Sequence, residues 1–429
     1  MIGLRGITDA NRAGRGWGIP SICSAHPMVL ETCIERVLAE GGPLLIEATC
    51  NQVNQEGGYT GMTAADFRRF VGTLAASRGL QSDRLILGGD HLGPNPWRRE
   101  PAAAAMAKAE VLVRSYAEAG FAKLHLDASM ACAGDPAPLP PALIAERAVQ
   151  LAAAAEAGGR RPFYVIGTEV PVPGGAHEKL DTVEVTRIDD LIHTVEVHAA
   201  AFAQAGLEDA WRRVLAVVVQ PGVEFGSEDV VDFMPERAGA LRAAITQLPG
   251  LVFEAHSTDY QTEAALRALV AHHFAILKVG PELTFALREA LFALAAIEVE
   301  LIGPADRSGL RETLDAAMLA NPQHWRDHHH GGAEAERIAR AFSLSDRSRY
   351  YWTEPKVAAS VQRLLDNLGR RRPPLALLSQ YLPRQHEAVR AGLLEPEPGA
   401  LVRHRIGEVA ARYARACVGT PVASAAPLP

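Results

Sequence analysis

The chain has 429 residues, of which 48% are hydrophobic and 22% are charged, as in an average globular protein. With 43 Lys and Arg against 50 Asp and Glu, its net charge of −7 argues against bulk attraction to nucleic acid or to an anionic membrane. No apolar run reaches the roughly 18 residues of a membrane span. The first residues lack the apolar core of a secretory signal, and the five cysteines show no CxxC spacing. We therefore expect a cytoplasmic protein.

Eight short apolar runs follow one another along the chain, and each precedes a segment with helical spacing. The runs cover residues 19–26, 44–51, 84–91, 121–129, 163–170, 214–222, 251–257 and 274–281. They are apolar nearly throughout, as is typical of parallel strands covered on both faces. Eight β-then-α units predict a TIM (β/α)8 barrel over residues 1–304, with a doubly wound open sheet as the alternative.

The last third of the chain has a different pattern. Residues 305–415 show helical spacing without a convincing pair of strands, which predicts an appended C-terminal helical region. Residues 416–429 are small and rich in proline, so we expect this tail to be disordered.

Polar side chains follow the predicted strands at the end where barrel enzymes carry their chemistry. Burying them without partners would cost about 1–3 kcal/mol each, so they predict a hydrated or metal-filled pocket. The candidates for substrate binding at these ends are Ser24, His26, Asn51, Gln52, Gln55, Ser129, Ser257, Thr258, Lys278 and Gly280.

Three strand ends carry residue types that suit a divalent metal: His91, Glu169 and His256. Gln220 is a weaker fourth candidate. Asp90 is the neighbour of His91, and adjacent strand residues point to opposite faces, so both can serve one site only where the strand bends or ends. The glycines on both sides of the pair allow such a bend. Asp90 as a helix cap is the open alternative.

Longer motifs carry a resemblance to a known family. GIPSICSAHP, EATCNQVNQEGGYTGM, GGDHLGPNPW, LHLDASM, YVIGTEVPVPGGA, EAHSTDYQ, LKVGP and SDRSRYYW together resemble the GatZ/KbaZ family. Its members are called the non-catalytic subunit of class II D-tagatose-1,6-bisphosphate aldolase. Some relatives carry the name tagatose 6-phosphate kinase, and others are metal-dependent sugar or sugar-phosphate 4-epimerases. The resemblance implies a TIM barrel related to zinc-dependent class II aldolases.

The resemblance also implies roles for individual residues. The Asp-His pair of class II aldolases, an acid/base and a metal ligand, matches Asp90 and His91. Their metal-orienting glutamate resembles Glu169, and a later histidine ligand resembles His256. A further histidine is expected on the sixth strand, where this chain has Gln220. The implied cofactor is a divalent metal, with zinc as the first choice and manganese or nickel as alternatives.

Two functions remain open at this stage. The first is an isomerase that converts D-tagatose 6-phosphate to D-fructose 6-phosphate by retro-aldol and aldol steps, with Asp90 as base and Glu47 or Asp127 as the second acid/base. The second is an accessory subunit that stabilises a class II aldolase chain; a homo-oligomer is also open. Kinase activity has no support, because the sequence holds no phosphate-cradling GxxxxGK[ST] loop.

The substrate phosphate is expected near Lys278, Ser257, Thr258 and Gly280, because loops after the last two strands bind phosphate in many barrels. Arg347, Arg349 and Tyr350 in SDRSRYYW could reach over the mouth from the helical region, although they could equally be surface residues.

Overall fold

A computed structural model describes residues 3–168 and 183–419 of the chain. Its barrel strands are β1 (Ile19–Ile22), β2 (Leu44–Thr49), β3 (Leu85–Leu92), β4 (Lys123–Leu126), β5 (Phe163–Ile166), β6 (Val214–Val218), β7 (Val252–Ala255) and β8 (Phe274–Val279). They are parallel and close into a barrel in the order β1-β8-β7-β6-β5-β4-β3-β2. A short antiparallel hairpin, Glu224–Phe225 with Val230–Val231, follows β6 and was not predicted.

The closed barrel confirms the predicted fold class and excludes the open sheet. Each strand lies in one of the eight predicted runs, and only β3 passes the predicted end, by one residue. The prediction succeeds because a strand covered by helices outside and by the barrel core inside needs apolar residues on both faces.

The helices of the described residues surround the barrel and continue beyond it. They are α1 (Leu4–Arg12), α2 (Pro27–Glu40), α3 (Ala64–Ser77), α4 (Ala102–Glu118), α5 (Pro141–Ala157), α6 (Ile188–Gln204), α7 (Glu208–Trp211), α8 (Gly239–Ile245), α9 (Glu263–Ala271), α10 (Pro281–Leu301), α11 (Leu310–Ala320), α12 (Ala333–Phe342), α13 (Pro355–Arg370), α14 (Leu375–Tyr381), α15 (Pro383–Arg390) and α16 (Pro398–Cys417).

Local sequence explains several helix starts. Proline stands at the first position of α2, α5 and α10, where its missing N–H has no helical partner to lose. The α3 helix begins with a capping box, in which the Thr63 hydroxyl accepts from the Asp66 N–H and the Asp66 carboxylate accepts from the Thr63 N–H.

The barrel interior is apolar at its N-terminal end. Leu4 and Ile7 of α1 pack there against inward-facing strand residues and close that end of the barrel. The strand residues of this cluster include Ile19, Leu45, Val165, Leu215, Val252 and Ile276. Polar groups are therefore confined to the middle and the C-terminal end of the barrel.

The C-terminal helical region packs directly on the barrel. Helix α16 lies against α2, α9 and α10 and buries Leu401, Ile406 and Tyr413. It continues to Cys417, one residue beyond the predicted start of the disordered tail at 416, while residues 420–429 of that tail lie outside the described residues. Among the described helices, none is long and apolar enough to cross a membrane.

Candidate functional site

The middle of the barrel interior holds a layer of buried charges. Lys123 Nζ lies 2.7 Å from Glu47 Oε1 and 2.6 Å from Glu254 Oε2, and all three side chains are fully buried. Lys278 Nζ contacts Glu47 and lies 2.8 Å from Asp90 Oδ1. Each charge faces an opposite one, which offsets the cost of removing it from water. Through Lys278 and Asp90, this layer is in direct contact with the polar groups of the C-terminal mouth.

The Asp90-His91 pair lies where β3 bends. His91 has a φ of 46°, and the register of β3 with β4 shifts between Gly89 and Leu92. The bend turns both side chains toward one site, with Asp90 Oδ2 3.9 Å from His91 Nε2. A Cβ on Gly88 would come within 2.8 Å of Glu47 Cγ, so glycine leaves room for that carboxylate. Asp90 is a strand residue facing the site, not a helix cap.

Three imidazoles cluster beside Asp90. The ring centroids of His91 and His256 are 4.7 Å apart, those of His91 and His125 are 5.2 Å apart, and those of His125 and His256 are 5.0 Å apart. His91 Nδ1 lies 2.8 Å from Asp127 Oδ2, a contact that fixes the ring. Imidazole oriented by a carboxylate is a common arrangement around protein-bound metals.

Four side chains offer donor atoms that suit one metal ion. Ligand atoms of Asp90, His125, Glu254 and His256 all lie within 4.8 Å of one another. His125 Nε2 is buried without a hydrogen-bond partner among the described residues. Two imidazoles and two carboxylates are a donor set for zinc or a similar divalent ion, and a ligand would satisfy the orphaned nitrogen. The residues present therefore fit the implied metal.

The electrostatics keep the acids ionised and one imidazole neutral. Burial alone would raise the pKa of Asp90, but Lys278 and His91 hold it well below its usual range. Burial likewise opposes ionisation of Glu254, yet Lys123 and Lys278 keep its pKa low. Burial lowers the pKa of His256 to about 3, so its ring is neutral at physiological pH. Carboxylates and neutral imidazole are the forms that bind metals.

The segment Arg347–Tyr350 covers part of the mouth. Arg288 Nη1 on α10 lies 3.0 Å from Asp346 Oδ1, and this buried pair holds the start of the segment. The Tyr350 ring packs against Tyr59 at a centroid distance of 4.6 Å. Tyr350 Oη accepts hydrogen bonds from Arg349 Nη2 at 3.0 Å and from Arg347 Nη1 at 3.4 Å. The helical region thus contributes side chains to the site.

A cavity at the mouth brings together part of the predicted set. The predicted residues that line it are Asn51, Gln52, Asp90, His91, His256, Ser257, Lys278, Gly280 and Arg349. Arg347 lines a neighbouring cavity with His328 and Tyr350.

Other predicted residues have partners away from this cavity. Ser24 Oγ accepts from the His26 N–H, and the His26 ring packs against Trp352. Gln55 donates to the Lys108 carbonyl, and Thr258 donates to the Lys278 carbonyl.

The two further acid/base candidates, Glu47 and Asp127, also have buried partners. Glu47 pairs with both lysines of the charged layer, and Asp127 accepts from the Ser129 hydroxyl and contacts His91.

The structure does not bring all four predicted metal ligands to one site. His256 belongs to the four-residue donor group, and His91 lies beside it. Gln220 Oε1 accepts from the N–H groups of Gly222 and Val223, so its side chain stabilises its own loop. Glu169 lies outside the described residues.

His125 and Glu254 complete the donor group but were not predicted as ligands. A signal was present, because alternate strand residues share a face. Lys123 and His125 on β4, and Glu254 and His256 across the end of β7, are such pairs, so one polar member implies that the other also faces inward. Asp259 and Tyr59 line the cavity without having been assigned a role, whereas Tyr350 was expected at the mouth.

Comparison with known proteins agrees with the motifs. A family model described as D-tagatose-1,6-bisphosphate aldolase subunit GatZ/KbaZ-like matches residues 4–418. A solved structure described as a probable tagatose 6 phosphate kinase from Sinorhizobium meliloti 1021 is 52% identical, with a TM-score of 0.87 over 93% of this chain and 100% of that chain.

More distant structures share less of the architecture. The fructuronate-tagaturonate epimerase UxaE from Cohnella laeviribosi is 12% identical, with a TM-score of 0.48 over 94% of this chain and 82% of that one. The YdjI aldolase from Escherichia coli K12 is also 12% identical, with a TM-score of 0.42 over 85% of this chain and 95% of that one. At these values neither carries an argument about function.

Proposed function

The chain belongs to the GatZ/KbaZ-like family of tagatose-related carbohydrate metabolism, and from this premise we propose that it is a metal-dependent ketose 4-epimerase. The substrate pair expected from the sequence is D-tagatose 6-phosphate and D-fructose 6-phosphate. The observation that carries the proposal is the convergence of Asp90, with its ionised carboxylate, and three imidazoles at one barrel mouth. The five cysteines of the chain are all free, which supports a reducing, cytoplasmic setting for the enzyme.

The reaction needs a base on one face of the sugar. A divalent ion held by His125, Glu254 and His256 would supply Lewis-acid polarisation of the ketose oxygens, which leaves Asp90, the fourth member of the donor group, free to act as the base. Asp90 lines the cavity as a carboxylate and can accept the C4 hydroxyl proton. The C3–C4 bond then breaks to give a three-carbon aldehyde and an enediolate, and bond formation on the other aldehyde face inverts C4. Direct proton exchange at C4 is poor chemistry because no carbonyl is adjacent.

The recombination step also needs an acid/base on the opposite face. Glu47 and Asp127, the candidates from the sequence, are held by buried partners and do not line the cavity. Tyr350 lines it. Burial alone would raise the pKa of the Tyr350 phenol, but Arg349 and Arg347 lower it below its usual value. A phenol with a lowered pKa can exchange a proton, so we assign this role to Tyr350.

A second function is favoured by the family to which the chain belongs and by one contact. The matched family is described as an aldolase subunit. In addition, Lys278 forms an ion pair with the proposed base Asp90, and such a pair can stabilise the fold without any catalytic role. In that case the chain would stabilise a class II aldolase catalytic chain. The charged layer would then serve only the fold.

One experiment tests the first proposal against the second. The purified chain is incubated alone with D-tagatose 6-phosphate or D-tagatose and with Zn²⁺, Mn²⁺ or Ni²⁺, and the fructose configuration is detected by NMR. Asp90→Asn keeps the size of the side chain but cannot act as the base, so we expect a rate loss of about 10²–10⁴. No conversion with any metal, combined with activation of a separate aldolase chain, would establish the accessory function instead.

A further inference from the structure

A second cavity, here called the basal cavity, lies at the opposite end of the barrel from the proposed metal donors. Its volume of about 630 Å³ is within the usual range of small-molecule sites. Its lining includes Arg12 at the end of α1, Arg15 in the turn that follows, Arg242 on α8 and His273 directly before β8. Lys278 stands at the mouth end of β8, so about 16 Å of strand separate the two cavities.

The basal cavity is positively charged, although the net charge of the chain is −7. Its lining holds three arginines, and no carboxylate stands among the described residues that line it. Arg12 Nη1 donates to the Ile245 and Leu251 carbonyls and so holds the connection between α8 and β7. Arg15 and Arg242 are exposed and form no side-chain hydrogen bond or ion pair with any described residue. Their guanidinium groups are therefore available to a ligand.

Two buried polar side chains, those of His273 and Asn11, also line the basal cavity. His273 Nδ1 lies 3.1 Å from Asn11 Oδ1. The Asn11 amide nitrogen donates to the Trp17 and Val270 carbonyls, so Oδ1 is the acceptor and His273 Nδ1 carries the proton. His273 also has a φ of 68°, which is uncommon for a residue other than glycine and is held by the surrounding structure. The position and the tautomer of this ring are therefore fixed.

The arginine charges act directly on this histidine. Burial lowers the pKa of His273, and Arg242 and Arg12 lower it further, because their positive charges oppose another one nearby. The ring is thus neutral at about pH 7.5, and its Nε2 is a hydrogen-bond acceptor. No described residue forms a hydrogen bond with this nitrogen. The basal cavity therefore offers cations for an anionic group and, beside them, an acceptor for a hydroxyl group.

We propose that the basal cavity binds the phosphate group of a small molecule, with Arg15 and Arg242 as its cationic partners. The planar set of N–H groups on a guanidinium matches the oxygens of a phosphate in pairs. The bound anion would join the turn after α1 to helix α8, at the end of the barrel that α1 closes. The inference does not rest on the proposed epimerase, because the described lining residues of the two cavities do not overlap.

Calorimetric titration of the purified chain tests the site with two probes, inorganic phosphate and D-glucose 6-phosphate. The titrations are run at about pH 7.5 and about 50 mM salt, since higher ionic strength screens exposed charges. We expect both probes to bind. Tighter binding of the sugar phosphate identifies a phosphate ester as the ligand, because its hydroxyl groups can donate to His273 Nε2. Equal affinities identify the free phosphate ion.

A double variant removes the two proposed cationic partners. Arg15→Gln with Arg242→Gln should weaken the binding of both probes at least about tenfold, because each lost guanidinium contributes charge-assisted hydrogen bonds. Arg114→Gln with Arg390→Gln is the matched control. It removes the same charge from exposed positions on α4 and α15 that line neither cavity, so the affinities should stay unchanged. Thermal denaturation checks that all variants are folded.

The outcomes separate a built site from general electrostatics. Binding that the Arg15 and Arg242 variant loses and the control keeps supports the proposal, whether or not the chain converts a sugar. Equal weakening in both double variants would reflect net charge alone and overturns the proposal. Binding that neither pair of changes affects belongs to another part of the molecule and overturns it as well. A wild type that binds neither probe has the same consequence.

Discussion

His125 Nδ1 lies 3.2 Å from Asp90 Oδ1, so an imidazole on β4 contacts the carboxylate of the proposed base on the adjacent strand β3. The contact orients the ring, and the other nitrogen, Nε2, stays buried without a partner among the described residues. A carboxylate that contacts one nitrogen of a histidine and leaves the other for a ligand is a frequent feature of metal sites.

The first prediction concerns this histidine as a metal ligand. His125→Ala removes one of the four donors of the group, so we expect metal affinity to fall at least about tenfold and activity to fall with it. Metal content after dialysis is the measurement. Gln220→Ala is the matched control, because Gln220 stabilises its own loop and should leave metal content unchanged. Equal metal retention by His125→Ala and wild type would remove His125 from the site.

The second prediction concerns the phenol of Tyr350. Tyr350→Phe keeps the ring that packs on Tyr59 but removes the proton-exchanging hydroxyl, so kcat should fall by about 10²–10⁴ with little change in KM. Tyr351→Phe is the control, because the Tyr351 hydroxyl donates to the Asn321 carbonyl outside the cavity. A Tyr350→Phe enzyme within threefold of the wild-type rate would exclude the acid/base role.

The sequence predicted the barrel well because its signal is local. Each strand except β3, which extends one residue further, lies within an apolar run of seven to nine residues, and the strand order follows from the barrel topology. The Gly88-Gly89 pair also indicated that Asp90 and His91 could share a site, as the bend at His91 allows. These inferences needed only neighbours along the chain.

Partners across the barrel were not predictable in the same way. Lys278 contacts Glu47 and Asp90 on other strands, and Asp259 accepts from the N–H of Gly280, the residue before α10. Nothing in the local pattern distinguishes a lysine that binds phosphate from one paired with buried carboxylates. Such a distinction depends on register between distant strands, which spacing along one chain does not encode.

The third prediction tests the buried charged layer. Glu47 and Glu254 each pair with Lys123 and Lys278, and Lys123→Met removes one of these two lysine partners from both carboxylates. The free energy of unfolding should therefore fall by about 3–5 kcal/mol. Chemical denaturation followed by circular dichroism measures it. Adding Glu47→Gln removes one uncompensated charge and should recover part of the loss. If Lys123→Met is as stable as the wild type, the layer does not support the fold.

The last prediction concerns pH and a histidine outside the site. His198 on α6 is fully buried, its Nδ1 lies 2.7 Å from the Thr194 carbonyl oxygen, and burial lowers its pKa to about 4. In the unfolded chain the pKa of histidine is about 6.5, so between these values the unfolded state binds more protons. Stability from this group is present above about pH 6.5 and is lost as the pH falls toward 4.

His198→Phe should therefore lessen the acid sensitivity of the fold. Between pH 7 and pH 5 the wild type should lose about 2 kcal/mol of unfolding free energy that the variant keeps. Denaturant titrations at both pH values measure the difference, and any constant packing effect of the phenyl ring cancels between them. His193→Asn, at an exposed position of the same helix, should behave like the wild type because that side chain stays in water. If His198→Phe loses as much stability on acidification as the wild type, His198 is not a source of the acid sensitivity.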